Sequence, residues 1–134
     1  MNAKAKVLVV DDEDIVRTCY QRILAGRQCQ VCEVNSGVDA LLLMQHQSFE
    51  VVLLDQKMAG MDGMAPLKSM KALWPETEVI MITGYPALDL AKEAVTLGAY
   101  DYLEKPVGPD EVIHATSNAL THKRWKLHQD AVFC

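Results

Sequence analysis

Three short runs of the sequence are almost wholly apolar, and they constrain the fold more than any other feature. They are Val7-Leu8-Val9-Val10, Val51-Val52-Leu53-Leu54 and Val79-Ile80-Met81-Ile82. Unbroken runs of this length, rich in β-branched residues, suit strands that are covered on both faces, as in the middle of a parallel sheet. Two further strand candidates, residues 31–34 and 100–103, each include an acidic residue, which suits a sheet edge. The sequence therefore predicts three central strands and two edge strands.

Every strand candidate is followed by a segment in which apolar residues recur at helical spacing. The apolar stripes, in chain order, are Ile15, Val16, Cys19, Ile23 and Leu24; Val38, Leu41 and Leu42; Leu67, Met70 and Trp74; Leu88, Ala91, Ala94 and Val95; and Val112, Ile113, Thr116, Ala119 and Leu120. Ser36 followed by Asp39 resembles a capping box, and Gly98 is placed to end the fourth helix. The pattern is therefore a strand and a helix repeated five times.

Alternating strands and helices imply a parallel sheet with right-handed crossovers. If the first, third and fourth strands are central, the strand order 2-1-3-4-5 follows. The expected fold class is thus α/β, a flavodoxin-like (βα)5 doubly wound parallel sheet. In such a sheet the ligand crevice lies beyond the carboxyl ends of strands 1 and 3, where the strand order reverses.

Composition narrows the classes of partner. The net charge of −5 argues against direct nucleic-acid contact by this segment, because such contact rests on clustered Lys and Arg. No apolar run approaches the roughly 20 residues of a membrane helix. Residues 1–6 contain no signal-peptide h-region. We therefore expect a cytoplasmic protein without a membrane partner.

The cysteines and histidines do not predict a metal site. Cys29 and Cys32 have the C-x-x-C spacing of some redox and zinc sites, but no second pair completes a zinc set. Residues three apart on a strand also point to opposite faces, so we expect reduced, partly buried thiols. His114, His122 and His128 have no carboxylate cluster at metal spacing, and we expect them at the surface.

Polar residues follow the strand candidates where a doubly wound sheet binds its ligand. Asp11-Asp12 directly follows the first strand and Asp55 directly follows the third. Three converging carboxylates repel one another, and a hard cation relieves this repulsion. Mg²⁺ favours one or two carboxylates, several waters and a phosphate oxygen. Thr83-Gly84 and Lys105-Pro106 end the fourth and fifth strands and bring a hydroxyl and an ammonium to the same edge.

These groups suit phosphoryl transfer, in which catalysis is mostly positioning and charge neutralisation. A carboxylate can itself be the nucleophile. Each residue alone also has an ordinary explanation: an acid after a strand often caps a helix, Thr-Gly is usually a turn, and Lys-Pro usually has no function. The joint pattern is far more specific than any of these residues alone, because an acid pair, a single acid, a threonine and a lysine each fall at the end of a different strand, in chain order.

Together these residues resemble the receiver domain of two-component response regulators. The resemblance covers about residues 4–121 and is carried by Val9-Val10-Asp11-Asp12-Glu13, Leu54-Asp55 with Met58 and Gly60-Met61-Asp62-Gly63, Ile82-Thr83-Gly84, and Gly98 through Pro106. Thr83-Gly84-Tyr85-Pro86 and the block from Gly98 to Pro106 look most like receivers of the NtrC type, which precede ATPase and DNA-binding domains. Residues 1–121 are thus expected to form the receiver domain, and residues 122–134 a helical tail or linker to an output domain outside this chain.

The resemblance implies a phosphoacceptor and a metal site. Asp55 would accept a phosphoryl group from the phosphohistidine of a sensor histidine kinase or phosphotransfer protein. Asp12 would bind Mg²⁺ (Mn²⁺ is possible) directly, Asp11 mainly through water, and the backbone carbonyl of Lys57 would be a further ligand beside Asp55. The chain would not be an enzyme acting on a separate substrate, since it would catalyse only its own phosphorylation and dephosphorylation.

The resemblance also implies a switch. Thr83 and Lys105 would contact the phosphoryl oxygens, and the Lys105-Pro106 bond would be cis. Tyr102 would follow the movement of Thr83, so that helix 4, strand 5 and helix 5 form the face that meets an output domain or a dimer partner. The alternative for Tyr102 is an ordinary half-exposed aromatic on an edge strand.

Several points stay open from the sequence. Ala59 stands where the family usually has proline, and the side chain of Lys57 lies where family members vary and tune acyl-phosphate hydrolysis. The tail is either a helix ending in cations or a continued signalling helix with Trp125 and Leu127 at a contact.

Two other functions are alternatives to a receiver. An aspartate-nucleophile phosphatase usually needs a second acid where Lys57 stands. A pseudo-receiver would lack the acids, Thr83 or Lys105, and all are present.

Overall fold

The computed structural model describes residues 5–27, 29–58, 61–84 and 88–133, and only the backbone at residues 57, 58, 61, 62, 88 and 124–133. In this part of the chain five strands of one sheet alternate with five helices. The strands are β1 (Ala5–Val10), β2 (Cys29–Val34), β3 (Val51–Asp55), β4 (Glu78–Thr83) and β5 (Asp101–Glu104). The helices are α1 (Asp14–Ala25), α2 (Gly37–Met44), α3 (Met64–Leu73), α4 (Leu88–Thr96) and α5 (Pro109–Phe133). Lys57–Met58 and Met61–Asp62 pair as a short antiparallel hairpin before α3.

The strands form one parallel sheet in the order β2-β1-β3-β4-β5. The predicted order 2-1-3-4-5 and the flavodoxin-like class are therefore confirmed. The three apolar runs lie on the central strands and are buried throughout, and the two acid-containing runs lie at the edges. Because the order reverses between β1 and β3, their carboxyl ends lie side by side and open a crevice.

Helices cover both faces of the sheet. Side chains alternate along each strand, so Val9 packs in a core with residues of α1 and α5, while Val10 packs in a second core with residues of α2, α3 and α4. Cys29 belongs to the first core and Cys32 packs against the second. The expected opposite orientation of these thiols is thus confirmed, and neither forms a disulfide.

Local signals placed two helix ends correctly. The Ser36 hydroxyl accepts a hydrogen bond of 3.1 Å from the backbone N–H of Asp39, as the capping pattern predicts. Gly98 has a φ of 103°, and the N–H of Ala99 donates to the carbonyl of Ala94 at 2.9 Å. This is the Schellman ending of a helix, which favours glycine because the residue is left-handed.

The predicted apolar stripe of α1 is partly wrong. Ile15 is 72% exposed and Cys19 is exposed, whereas Tyr20 is buried together with Leu24. A helix turns by about 100° per residue, so the face through Val16, Tyr20 and Leu24 meets the sheet and the neighbouring positions turn away.

The stripes of α2 and α4 are also partly wrong. Val38 and Leu42 are each 52% exposed and Val95 is 61% exposed, whereas Ala40 and Ala94 are fully buried. Alanine has no side chain beyond Cβ, so these positions let the helices approach the sheet closely. The larger residues beside them then face outward.

Helix α5 runs without interruption from Pro109 to Phe133, so the helix does not end at the cations around Lys123. The side chains of Trp125, Leu127 and His128 lie outside the described residues. His114 is exposed, as expected, and His122 also reaches the surface, with 41% of its side chain exposed, although part of its ring contacts the domain. His122 is half-buried, with Nδ1 at 2.6 Å from the Oε2 of buried Glu78. No described helix, α5 included, combines the length and apolarity needed to cross a membrane.

Candidate functional site

Three carboxylates converge where β1 and β3 end. Carboxylate oxygens of Asp11, Asp12 and Asp55 all lie within 4.8 Å of one another. Asp11 is 1% exposed and Asp55 is 4% exposed, while Asp12 faces solvent. Opposite ligands of an octahedral Mg²⁺ ion lie about 4.2 Å apart, so a small contraction would let these oxygens share one ion. The donor set is all oxygen, and the exposed Asp12 leaves room for water ligands.

Lys105 brings a positive charge to the buried acids. Its Nζ lies 3.3 Å from Oδ2 of Asp11 and 3.5 Å from Oδ2 of Asp55. Burial lowers the pKa of Lys105, but the carboxylates of Asp55 and Asp11 outweigh burial and raise the pKa above 10.5. The ammonium therefore remains charged at neutral pH. Its backbone N–H donates to the carbonyl of Thr83 at 2.6 Å, and the Lys105-Pro106 bond is cis, as the resemblance implied.

Thr83 lies at the end of β4, fully buried, and its hydroxyl donates to Oε1 of Gln56 at 2.8 Å. Gln56 directly follows Asp55 and is itself buried, at 6% exposure. The sequence analysis did not single out Gln56. The signal available was a polar residue next to Asp55, two positions after a strand predicted to be buried on both faces.

The loop that carries Asp11 and Asp12 is fixed by a second residue that the sequence analysis missed. The guanidinium of Arg17 donates to the carbonyl of Asp11 at 2.6 Å and to Oε1 of Glu33 at 3.2 Å, and it pairs with Asp14. The side chain of Asp11 accepts from the N–H of Glu13 at 2.9 Å. The carboxylate of Asp11 is therefore held by the backbone N–H of Glu13 just before α1, and the backbone of Asp11 is linked through Arg17 to Glu33 on β2.

The backbone after Asp55 passes very close to the start of α3. The N–H of Gly63 donates to the carbonyl of Gln56 at 2.5 Å. A Cβ atom at Gly63 would lie 2.6 Å from the carbonyl oxygen of Asp55. Only glycine allows this approach without moving the backbone of the candidate phosphoacceptor.

Lys57, Ala59 and Tyr102 complete the set of candidate residues. The backbone of Lys57 lies in the hairpin after β3, paired with Asp62. The side chain of Lys57, all of Ala59, and residues 85–86 lie outside the described part of the chain. Tyr102 on β5 packs against the core shared by α2, α3 and α4. Its hydroxyl is buried and has no hydrogen-bond partner among the described residues.

A comparison with protein families settles which family this geometry represents. The family model of the response regulator receiver domain matches residues 7–117, well over half of the chain. The chain belongs to the receiver domain family. Its general function is therefore that of a receiver in two-component signalling, and the resemblance inferred from the motifs is confirmed.

Similarity to individual receivers points to the NtrC type. The chain is 42% identical to the transcriptional regulatory protein ZraR of Escherichia coli K12 over 116 residues, covering 87% of this chain and 26% of ZraR. It is 37% identical to the DNA-binding transcriptional regulator NtrC of the same strain over 116 residues, covering 87% of this chain and 25% of NtrC. The crystal structure of NtrX from Brucella abortus superposes with a TM-score of 0.90 at 31% identity, covering 96% of this chain and 30% of NtrX. The chain thus spans about a quarter of the length of these curated relatives.

Proposed function

We propose that this receiver accepts a phosphoryl group on the carboxylate of Asp55, from the phosphohistidine of a sensor histidine kinase or phosphotransfer protein. The observation that carries the proposal is the environment of Asp55. It is a buried carboxylate at a strand end, close to the carboxylates of Asp11 and Asp12 and 3.5 Å from the ammonium of Lys105. Asp11 has similar surroundings, but its carboxylate also accepts a hydrogen bond from the N–H of Glu13 at 2.9 Å, and the resemblance to receiver domains implies that the acceptor is the acid at the end of β3.

The chemistry follows from these contacts. An oxygen of Asp55 attacks phosphorus, the bond from phosphorus to the histidine nitrogen breaks, and an acyl phosphate forms. Charge spreads over the three equatorial oxygens during the transfer. The ammonium of Lys105 is placed to neutralise part of that charge, and the hydroxyl of Thr83 can donate one hydrogen bond to a phosphoryl oxygen. The histidine nitrogen leaves with the electron pair and takes a proton.

The proposed metal is Mg²⁺, with Mn²⁺ as a substitute. Asp11, Asp12, Asp55 and the backbone carbonyl of Lys57 would hold it, and it would neutralise the charge of the phosphoryl oxygens when bound. The hard oxygen donors and their spacing support this assignment. The burial of two of the acids supports it further, since buried like charges are costly without a cation.

The proposed output runs through α4, β5 and α5. Thr83 and Tyr102 would change position on phosphorylation and alter this face for an output domain or a dimer partner. Residues 1–121 would act as the receiver, and residues 122–134, which continue α5 as far as Phe133, as the helical connection to an output domain. NtrC and ZraR are transcriptional regulators about four times as long as the matched segment, which supports such an output.

We also propose a cytoplasmic location and no enzyme activity beyond self-phosphorylation and self-dephosphorylation.

Small-molecule phosphoryl donors test the proposal directly. Incubation with Mg²⁺ and either acetyl phosphate or phosphoramidate should add one phosphoryl group to the intact mass. Asp55→Asn should remove the addition because the nucleophile is lost, and a chelator should remove it because the metal is lost. Asp110→Asn, which changes an exposed acid at the start of α5, is the matched control and should accept the group as the wild type does. An unchanged mass with both donors, or equal modification of Asp55→Asn, would contradict the proposal.

A further inference from the structure

The hydrogen bond between Thr83 and Gln56 joins two buried side chains at adjacent strand ends. Thr83 is the last residue of β4 and Gln56 is the first after β3, and the bond from Oγ1 to Oε1 is 2.8 Å long. Leu54 and Met81 both belong to the core under α2, α3 and α4. Because side chains alternate along a strand, Gln56 and Thr83 point toward that same face. The bond therefore lies next to Asp55, on the face of the sheet that α4, one of the proposed output elements, also covers.

We propose that Gln56 is a positioning residue that holds the Thr83 hydroxyl in the unphosphorylated state and thereby sets how readily the chain switches. The inference rests on the proposed function, in which Thr83 contacts a phosphoryl oxygen. A threonine hydroxyl has a single donor hydrogen. Thr83 therefore cannot donate to Oε1 of Gln56 and to a phosphoryl oxygen at the same time, and the two acceptors compete.

The backbone of Gln56 is held on both sides, so Gln56 can follow Thr83 only by changing its side-chain rotamer. Its N–H donates to the carbonyl of Ile82 at 2.9 Å, and its carbonyl accepts from the N–H of Gly63 at 2.5 Å. When Thr83 turns to the phosphoryl group, the buried Oε1 of Gln56 loses this donor, which is unfavourable. The charged phosphoryl oxygen is the stronger acceptor, so switching still proceeds. Gln56 thus opposes the switch without preventing it.

Beryllofluoride, an inorganic phosphoryl mimic, measures this competition at equilibrium. Gln56→Met keeps a side chain of similar length but has no amide oxygen. With Mg²⁺ present, it should bind beryllofluoride roughly three- to tenfold more tightly than the wild type, the factor expected for one hydrogen bond. Mg²⁺ affinity without beryllofluoride should not change. If Gln56 had only a structural role, its replacement would not change the beryllofluoride affinity while leaving the Mg²⁺ affinity unaltered.

A double-mutant cycle identifies the partner of Gln56. Thr83→Val removes the hydroxyl at nearly constant shape, so Gln56→Met should have no effect on beryllofluoride binding in that background. Circular dichroism checks folding of each variant. If Gln56→Met does not fold, Gln56→Asn, whose shorter amide cannot reach Thr83, should show the same direction of change.

The possible outcomes separate the two proposals. Wild-type affinity in folded Gln56→Met or Gln56→Asn would overturn the inference, and so would a gain that persists in Thr83→Val. Either result would leave the proposed function intact, provided that the wild type binds beryllofluoride with Mg²⁺. If the wild type does not bind it, the proposed function fails, and the inference about Gln56 fails with it.

Discussion

At the scale of single residues, the buried acids change the titration of two neighbours. Burial, and then the charges of Asp11 and Asp55, raise the pKa of Tyr20 to about 12. The same two carboxylates raise the pKa of Lys105 against the opposing effect of burial. The acids favour the protonated form of both groups, since losing a proton would increase the negative charge around the crevice, whereas burial adds to this effect at Tyr20 and opposes it at Lys105. Negative potential from the acids therefore extends beneath α1 into the core.

The shift of Tyr20 predicts a loss of stability at high pH. Its pKa in the folded chain, about 12, lies above the ordinary value of 10.0, so folding favours the neutral phenol. This contribution is complete below about pH 10 and is lost as the pH rises through about 12, by up to about 2–3 kcal/mol. The free energy of unfolding from denaturant titrations should therefore fall more steeply in the wild type than in Tyr20→Phe across this range. Parallel curves for the two proteins would contradict the prediction.

The sequence could predict some of the site residues and not others. Asp11, Asp55, Thr83 and Lys105 lie at or directly after strand ends, and the ends of adjacent parallel strands must meet, so topology alone brings these residues together. Gln56 could not be found in this way, because its importance depends on which rotamer meets Thr83. Contacts between side chains on different elements are decided by packing, which no local pattern records.

At the scale of elements, the approach of α3 to the end of β3 determines where Asp55 sits. We predict that Gly63→Ala lowers the free energy of unfolding by about 1–3 kcal/mol, the usual cost of overpacking. The added Cβ would lie 2.6 Å from the Asp55 carbonyl, and the backbone must move to relieve this contact. The same movement displaces the Asp55 carboxylate, so phosphorylation by acetyl phosphate should also slow. Denaturant titration and the initial rate of mass addition measure the two effects.

Gly26→Ala is the matched control for this substitution. A Cβ at Gly26, after α1, would have no atom within 4 Å, and its φ of −79° suits alanine. This variant should match or exceed the wild type in stability and should be phosphorylated at the wild-type rate. If Gly63→Ala behaves in the same way as Gly26→Ala, the close approach does not constrain the site.

The elements also show where sequence patterns lose information. Strand positions were correct because an unbroken apolar run is buried whichever way the strand faces. The sequence pattern did not determine which face of α1 packs on the sheet. Ile15 and Val16 are adjacent and both apolar, so either could begin the apolar face. Tyr20 has a polar group and was passed over, although its ring fills the core. The orientation of a helix follows from the surface it packs on, which the sequence of the helix alone does not contain.

At the scale of the whole molecule, α5 is attached to the sheet at the end opposite the acids. Glu78 begins β4 and is 4% exposed, so its carboxylate requires partners. Its Oε1 lies 3.8 Å from Nζ of Lys71 and its Oε2 lies 2.6 Å from Nδ1 of His122. The ring of His122 also lies 5.1 Å from that of Tyr100. His122 lies beyond residue 117, where the family match ends, and yet it contacts the core of the domain.

We therefore predict that His122→Ala destabilises the whole domain, although it changes a helix beyond the matched segment. Removing the imidazole leaves one oxygen of the buried Glu78 without this partner, which should lower the free energy of unfolding by about 1–3 kcal/mol. His114→Ala, an exposed position on the same helix, should change it by less than about 0.5 kcal/mol. Phosphorylation by acetyl phosphate should be unaffected in both variants, because the acids lie at the other end of the sheet. Denaturant titration distinguishes the two variants, and equal stabilities would show that α5 is held by its apolar contacts alone. A stability loss confined to His122→Ala would instead show that the folded unit of this receiver includes His122.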